Sequence, residues 1–202
     1  MNRIKITLPL LTLNSVAIFA QDLEDGLLLH YEFNGDTEDA SINDFTGVPN
    51  GITYGLDRYG NPASAAYFDG IDDFIDLPYL EVLKPDLPIT ISFWVKFDNL
   101  SYENASVFNT SYENDVSSGV YFTTTADDSR IAVGYGDGSF GYSPSNRRTY
   151  LSNSSITADE WHNITVILIS ATEMKVYLDC RDMGGSIADH VMLSPTQIRR
   201  EV

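Results

Sequence analysis

Cysteine is almost absent from this chain, which has Cys180 alone among its 202 residues. A single cysteine cannot form an intramolecular disulfide, so a disulfide-stapled fold is excluded. A chain of this length is long enough for one well-buried domain and too short for two ordinary ones. Its stability has to come from side-chain packing, and a hydrophobic fraction of 43% is sufficient for one core.

Positive charge is scarce as well: 12 lysines and arginines stand against 29 acidic residues, and the formal net charge is −17. A surface of this sign repels phosphate backbones and anionic headgroups, so we expect neither nucleic acid nor anionic lipid as a partner. The net charge suits cations or neutral ligands. The acids are interspersed with Gly, Asn and Ser, so no disordered acidic tail is predicted.

Long hydrophobic runs are lacking beyond the first twenty residues, and we expect no membrane insertion. Residues 1–20 begin with Arg3 and Lys5, continue with a short apolar run and end at Ala20 before Gln21. A basic start, a short apolar middle and a small residue at the break are typical of a secretory signal peptide. We therefore predict cleavage near Ala20–Gln21 and a secreted, extracellular or cell-surface protein.

The mature chain, 21–202, has no segment that keeps a helical period for three turns, and only residues 79–84 favour a single turn. Alternation of apolar and polar residues recurs instead, most clearly in ITISFWVKF (89–97). Five other segments show strand-like patterns: LLLHYEF, GVYFTTT, RIAVGYG, WHNITVILIS and MKVYLD. Many short strands between turn residues predict an all-β fold, an antiparallel two-sheet sandwich of the jelly-roll type.

The most acidic stretch is AAYFDGIDDFIDLP, residues 65–78. Its apolar ends have the pattern of two strands, and Asp72 and Asp73 fall at the turn between them. Aspartate favours turns because its side chain hydrogen-bonds nearby backbone. We interpret these acids as the edge of a hairpin, with a contribution of one oxygen to a cation as the alternative.

Several segments occur in the order typical of one known family: LLLHYEFNGDTEDAS, DRYGNPASAAYFDGIDDFIDLP, LPITISFWVKF, DEWHNITVILI and MKVYLD. Through them the chain resembles the laminin-G-like, concanavalin A-like lectin/glucanase jelly-roll domains. The resemblance implies two facing antiparallel sheets and a role in binding glycans or surfaces. Two departures stand out. Cys180 occupies a turn position where the family usually has glycine, and the pattern from about residue 180 onwards is shortened and lacks C-terminal strands.

The resemblance also implies a structural calcium ion held by an aspartate-rich turn and by a residue near the domain's end. Oxygen-bearing side chains at alternate positions of a loop suit calcium, which takes six to eight oxygen ligands. The segment NGDTEDASINDFTG offers such positions, and a plain solvated loop is the alternative. The predicted ligands are Asp36, Asp39, Ser41, Asn43 and, from the C-terminal region, Asp189.

Catalytic pairs are not evident. No strand carries the alternating acids that a glucanase needs to flank a sugar bond. The histidines are far apart in sequence, and no nucleophile motif surrounds them. We therefore expect no enzymatic activity.

Sugars stack on aromatic faces, and binding residues concentrate on loops held by a rigid scaffold. Trp94 and Trp161 lie within strand patterns, so we expect them to pack in the core or on the sheet. The glycine-rich segment YGDGSFGYSPSNRRTY offers better candidates, although an ordinary mobile loop is the alternative. The predicted ligand-binding residues are Tyr135, Phe140, Tyr142, Arg147 and Tyr150.

The sequence therefore favours a secreted, non-catalytic module that recognises a polysaccharide or cell-surface glycoconjugate, with a fold supported by calcium. Because fold-level analogy carries much of this reasoning, two alternatives stay open. One is an adhesive or structural interaction domain of a surface protein without a sugar site. The other is a glycoside hydrolase whose acids the sequence pattern does not reveal.

Overall fold

Two antiparallel sheets pack face to face in a computed structural model of the chain, which describes residues 24–100, 106–110, 116–125, 127–140 and 147–188. The prediction of an all-β sandwich is confirmed. The helical element of the described residues is one 3-10 turn, Glu81–Leu83, inside the segment predicted to form a turn. No helix among these residues is long and apolar enough to cross a membrane.

The first sheet has four strands in the order β12-β11-β10-β5. Its strands are β5 (Ile89–Val95), β10 (His162–Ser170), β11 (Glu173–Leu178) and β12 (Arg181–Asp182). Alternation sets the two faces, because successive side chains of a strand point to opposite sides. Ile164 of β10 is buried in the core, whereas Asn163 and Thr165 face outward beside Trp94 and Ser92 of β5.

The second sheet has five strands in the order β13-β9-β8-β7-β6. Its strands are β6 (Ser106–Asn109), β7 (Val116–Thr124), β8 (Arg130–Phe140), β9 (Arg147–Ser155) and β13 (Gly185–Ala188). The strands β7, β8, β10 and β11 coincide with the strand patterns of the sequence, whereas β9 begins inside the segment predicted to be a glycine-rich loop. The last of the five, β13, follows residue 180 and pairs antiparallel with β9, so the C-terminal region contributes an edge strand.

The core lies between these two sheets. Phe93 from the first sheet meets Phe122 from the second edge to face, with ring centroids 5.0 Å apart. The large, fully buried aliphatic side chains come from both sheets: Ile131, Val133, Ile164, Val166, Leu168 and Val176. Burial of each such side chain contributes about 1.5–3 kcal/mol, so this layer dominates the stability of the sandwich.

The outer face of the five-stranded sheet is closed by its own side chains. The Tyr121 ring lies across Gly134, where an added Cβ would come within 1.6 Å of the ring carbon Cε1. The Tyr121 hydroxyl reaches Thr149 Oγ1 at 2.5 Å, two strands away. Only glycine at position 134 leaves room for this ring, and the ring in turn covers the middle of the sheet.

The acidic stretch forms two strands but not the predicted hairpin. β3 (Ala65–Tyr67) pairs with β2 (Thr53–Gly55), whereas β4 (Phe74–Asp76) pairs with β1 (Val48–Asn50). Each half of the stretch therefore finds its partner earlier in the chain. The hairpin prediction was wrong because local alternation does not specify which strand a segment pairs with.

The predicted strand at 27–33 was also wrong. The β-type pairing of this segment is limited to one isolated antiparallel bridge, between Tyr31 and Asp39. The Asn43 side chain takes the Leu27 carbonyl oxygen that a neighbouring strand would need, at 3.0 Å. Phe33 has φ of 57°, which ends the extended conformation.

Candidate functional site

The outer face of the four-stranded sheet carries a half-exposed tryptophan. Trp94 lies on the solvent side of β5 and is 45% exposed. Alternation within β5 places it there, because Phe93 and Val95 point into the core. Of the two expected places for Trp94, the core or the sheet surface, the structure has the sheet surface, and its ring is 45% exposed there.

A tight turn brings a cation over this tryptophan. The turn, residues 57–61, is organised by the Asp57 carboxylate, which accepts hydrogen bonds from Tyr59 N (2.8 Å), Asn61 N (2.8 Å) and Asn61 Nδ2 (2.9 Å). Desolvation alone would raise the pKa of Asp57, but the hydrogen bonds from Asn61 and Tyr59 outweigh it and lower that pKa. The carboxylate thus ties Asp57 to the residues that follow Arg58 and fixes the turn that carries Arg58.

Arg58 stacks against two aromatic rings. Its guanidinium carbon lies 4.4 Å from the centroid of the Tyr59 ring and 4.6 Å from the centroid of the Trp94 ring. One guanidinium N–H donates to the Tyr59 hydroxyl at 3.1 Å. No carboxylate of the described chain forms an ion pair with Arg58. The stack fixes the plane of the guanidinium and leaves most of its donors free.

A network of hydroxyl and amide groups adjoins Trp94. The hydroxyls of Ser92 and Thr165 lie 3.0 Å apart, and Thr165 Oγ1 donates to Asn163 Oδ1 at 3.4 Å. Asn163 is the cross-strand partner of Trp94. We call this surface the Trp94 face and define it by Arg58, Tyr59, Ser92, Trp94, Asn163 and Thr165. Aromatic surface beside polar side chains is the composition with which proteins bind sugars and other ring-shaped polar ligands.

Sequence reasoning missed Arg58 and Tyr59. The signal available was DRYGN, where an aspartate and a glycine frame a turn with an arginine and a tyrosine at its tip. Nothing in the local pattern indicates that this tip reaches Trp94.

Of the predicted ligand-binding residues, Tyr135 and Tyr150 have described side chains, and both pack towards the core. Tyr150 is 5% exposed and belongs to the core, so its ring is not available for stacking on a ligand. Tyr135 packs partly buried against the same core. Phe140 and Arg147 end β8 and begin β9, but their side chains lie outside the described set, as does the whole of Tyr142. The prediction was wrong for Tyr150, because the register of β8 and β9 turns it inward.

Asp39 is the centre of a hydrogen-bond network in the N-terminal region, and it is 6% exposed. Its Oδ1 accepts hydrogen bonds from His30 N (2.8 Å) and Ser41 N (2.9 Å), and its Oδ2 from Ser41 Oγ (2.8 Å) and Phe45 N (2.9 Å). Burial opposes ionisation, but these bonds outweigh it and lower the pKa of Asp39. Burial, together with the Asp39 charge, raises the pKa of Tyr31 to about 12.

This arrangement does not suit the calcium ion predicted at Asp39. A carboxylate has about four lone-pair sites, and donors take four here, so a cation would have to displace them. Ser41 Oγ accepts from Asn43 N at 3.2 Å, and Asp36 accepts from Glu38 N at 3.1 Å. Asp189 lies outside the described residues. Calcium binding by these residues therefore stays a prediction.

The acidic turn after β3 brings three carboxylates together. Ligand oxygens of Asp69, Asp72 and Asp73 lie within 4.8 Å of one another, the single such group among the described residues. Asp73 Oδ2 accepts from Asp69 N and Asp69 Oδ1 from Ile71 N, both at 2.8 Å. Two of these acids thus stabilise the turn itself, as their residue type predicts.

His162, which is buried, joins two loops. Its Nδ1 lies 2.8 Å from Asp179 Oδ2, and its Nε2 lies 2.9 Å from Thr157 Oγ1. Desolvation alone would raise the pKa of Asp179, but the bonds from His162 and Asn163 N lower it. The Thr157 hydroxyl also donates a hydrogen bond to Glu160 at 3.0 Å. It therefore has a structural role between the two loops and is not positioned as a nucleophile.

Comparison with known proteins adds one finding. The family model described as the concanavalin A-like lectin/glucanases superfamily matches residues 69–197. The match contains β5, β10 and therefore Trp94, while Arg58 and Tyr59 precede it. No curated protein and no solved structure matches the chain.

Proposed function

Because the chain belongs to the concanavalin A-like lectin/glucanases superfamily, we propose that it is a binding module that recognises a polysaccharide or glycoconjugate without cleaving it. The observation that carries the proposal is the difference between the two outer sheet faces. Tyr121 closes the outer face of the five-stranded sheet, whereas the Trp94 face is open and rich in hydrogen-bonding groups. Such a surface offers both stacking and recognition of hydroxyls.

The absence of catalysis is part of the proposal. Hydrolysis of a glycosidic bond uses two carboxyl groups, about 5–10 Å apart, that flank the sugar. The strands that form the Trp94 face, β5 (ITISFWV) and β10 (HNITVILIS), contain no aspartate or glutamate. A sugar lying on this face therefore meets stacking and hydrogen-bonding groups from these strands, with no acid and base pair.

We also propose an extracellular location, since residues 1–20 have the pattern of a signal peptide. An exported module meets glycans of cell surfaces and matrices. The strongly negative net charge argues against nucleic acid as a competing partner.

A glycan array probed with the purified protein, in calcium and again in chelator, tests the function. A cooperative thermal melt is confirmed first. We expect binding to a defined class of glycan, and we expect Trp94→Ala to weaken it. A well-folded protein that binds no glycan contradicts the proposal and favours an adhesive or structural role. Release of reducing sugar from a bound polysaccharide contradicts the non-catalytic part.

A further inference from the structure

We propose that the Trp94 face selects sugars that carry a negative charge, and that Arg58 is the residue that recognises their carboxylate. This inference rests on the proposed function and adds the ligand class. It opposes what the net charge suggests by itself, because a chain of net charge −17 repels anions on average.

The local charge of the face differs from that average. Its strands β5 and β10 hold none of the chain's 29 acidic residues. Glu173, the one acid on β11, pairs with Ser170 at the end of β10 opposite to Asn163. Asp57 and Asp179, which flank the face, use their oxygens to bind neighbouring donors.

Cations collect on the same face. Lys96 continues the alternation of Ser92 and Trp94 beyond the end of β5 and is exposed. Lys175 on β11 is exposed and pairs with Ile167, whose other partner is Thr90 of β5. Neither lysine forms an ion pair with a carboxylate of the described chain. Arg58, Lys96 and Lys175 thus give this sheet three exposed cations, while Asp57, Asp179 and Asp182 lie at its margins.

Arg58 has the geometry that a carboxylate requires. Rings at 4.4 Å and 4.6 Å orient its planar guanidinium, and Asp57 fixes the turn that carries it. Preorganisation of this kind lowers the entropy lost on binding. A guanidinium has five N–H donors in a fork that matches a carboxylate bidentately, and one is used by the Tyr59 hydroxyl.

The same stack explains why the ligand is a sugar rather than any small anion. Tyr59 is 74% exposed and Trp94 is 45% exposed, so apolar ring surface is accessible beside the guanidinium. A pyranose presents C–H groups to such rings and hydroxyls to Asn163 and Thr165. A carboxylate on that pyranose reaches the free donors of Arg58.

Calorimetric titration with short oligouronates, an oligogalacturonate and an oligoalginate, tests the inference, with each methyl ester as a matched neutral ligand. We expect at least one acid to bind about tenfold more tightly than its ester, with a preference that weakens as salt rises. Arg58→Ala should abolish the preference. Arg58→Lys, which keeps the charge and loses the fork, should retain only part of it. Thermal melts establish that both variants fold.

Lys84→Ala is the control variant. Lys84 also lies over a tyrosine ring, 4.0 Å from the Tyr79 centroid, but at the end of the 3-10 turn Glu81–Leu83. Its removal changes the net charge as Arg58→Ala does and should leave the preference unchanged. Equal binding of acids and esters by a protein that binds glycans on the array overturns this inference and leaves the proposed function standing. A protein that binds neither acids, esters nor any array glycan overturns both.

Discussion

The N-terminal region, residues 24–86, and the sandwich, residues 87–188, are held together by different interactions. In the described sandwich the buried side chains are mostly apolar and run from Leu100 to Met183. In the N-terminal region the buried positions are Thr37, Asp39 and Gly47, and its strands are three residues long. One region excludes water with apolar packing, and the other saturates carboxylates with backbone donors.

This difference explains where the exposed apolar residues lie. Most of the exposed large hydrophobic side chains belong to the N-terminal region, among them Ile42 and Ile71. The loops there are shaped by Asp39, Asp57 and Asp69, each of which accepts hydrogen bonds from the main chain nearby. Acidic residues thus stabilise these loops by accepting main-chain hydrogen bonds, and the many acids of this chain need not signal metal binding.

The largest expected effect is in the sandwich core. Ile164→Ala removes a fully buried side chain and should lower the free energy of unfolding by about 4 kcal/mol. The control is Ile42→Ala in the N-terminal region, where the side chain is 95% exposed and the change should stay within about 0.5 kcal/mol. Denaturant melts measure both. Similar losses for the two variants would contradict the division between the regions.

Asp39→Ala should lower the free energy of unfolding by about 2 kcal/mol, because it leaves partly buried donors from His30, Ser41 and Phe45 without their acceptor. Asp36→Ala is the control, since exposed Asp36 accepts a single backbone bond from Glu38. Thermal melts in calcium and in chelator separate the two explanations of Asp39. A hydrogen-bonding role predicts the same loss in both conditions, and a loss seen only in calcium would restore the metal hypothesis.

Acid should weaken the N-terminal region before the sandwich. The folded pKa of Asp39 is lowered, so its stabilisation is complete above the unfolded pKa of about 3.9 and is lost as the pH falls through the folded value. Hydrogen exchange at about pH 6 and pH 3 should therefore show earlier opening of residues 24–86 at the lower pH. Asp39→Asn should flatten this dependence. Uniform opening of both regions would contradict it.

The smallest expected effect is a gain. Asp179 and Cys180 form the two-residue turn between β11 and β12, and both have positive φ, 50° and 63°. Glycine adopts this conformation without the steric cost of a Cβ, so Cys180→Gly should stabilise the protein by about 1 kcal/mol. Cys180→Val is the matched variant with the opposite expectation, and it should lower the stability of the protein. A destabilising glycine would mean that the cysteine side chain makes a contact of its own.

The sandwich could be predicted from the sequence because alternation survives wherever one face is buried. The strand pattern of residues 89–97 correctly separated Trp94 from Phe93, and the turn strain at Cys180 was visible in the departure from glycine. The N-terminal region was harder to predict. Its strand at 27–33 failed because side chains such as Asn43 compete for the main chain.

The candidate site could be predicted only in part. Aromatic residues were sought on a glycine-rich loop, but Tyr150 faces the core because of a register that the sequence does not specify. The stack of Arg58 on Trp94 joins residues far apart in the chain. Contacts of this kind depend on how two regions pack, and no local pattern encodes them.

Fluorescence of Trp94 tests most directly whether the Trp94 face binds sugar. The chain has two tryptophans, so a Trp161→Phe variant leaves Trp94 as the sole tryptophan reporter. The variant is titrated with a glycan that the array detects, while an external quencher measures access to the ring. Binding at this face predicts a shift in emission and protection from the quencher at saturation. Unchanged emission and unchanged quenching while the glycan is bound would contradict it.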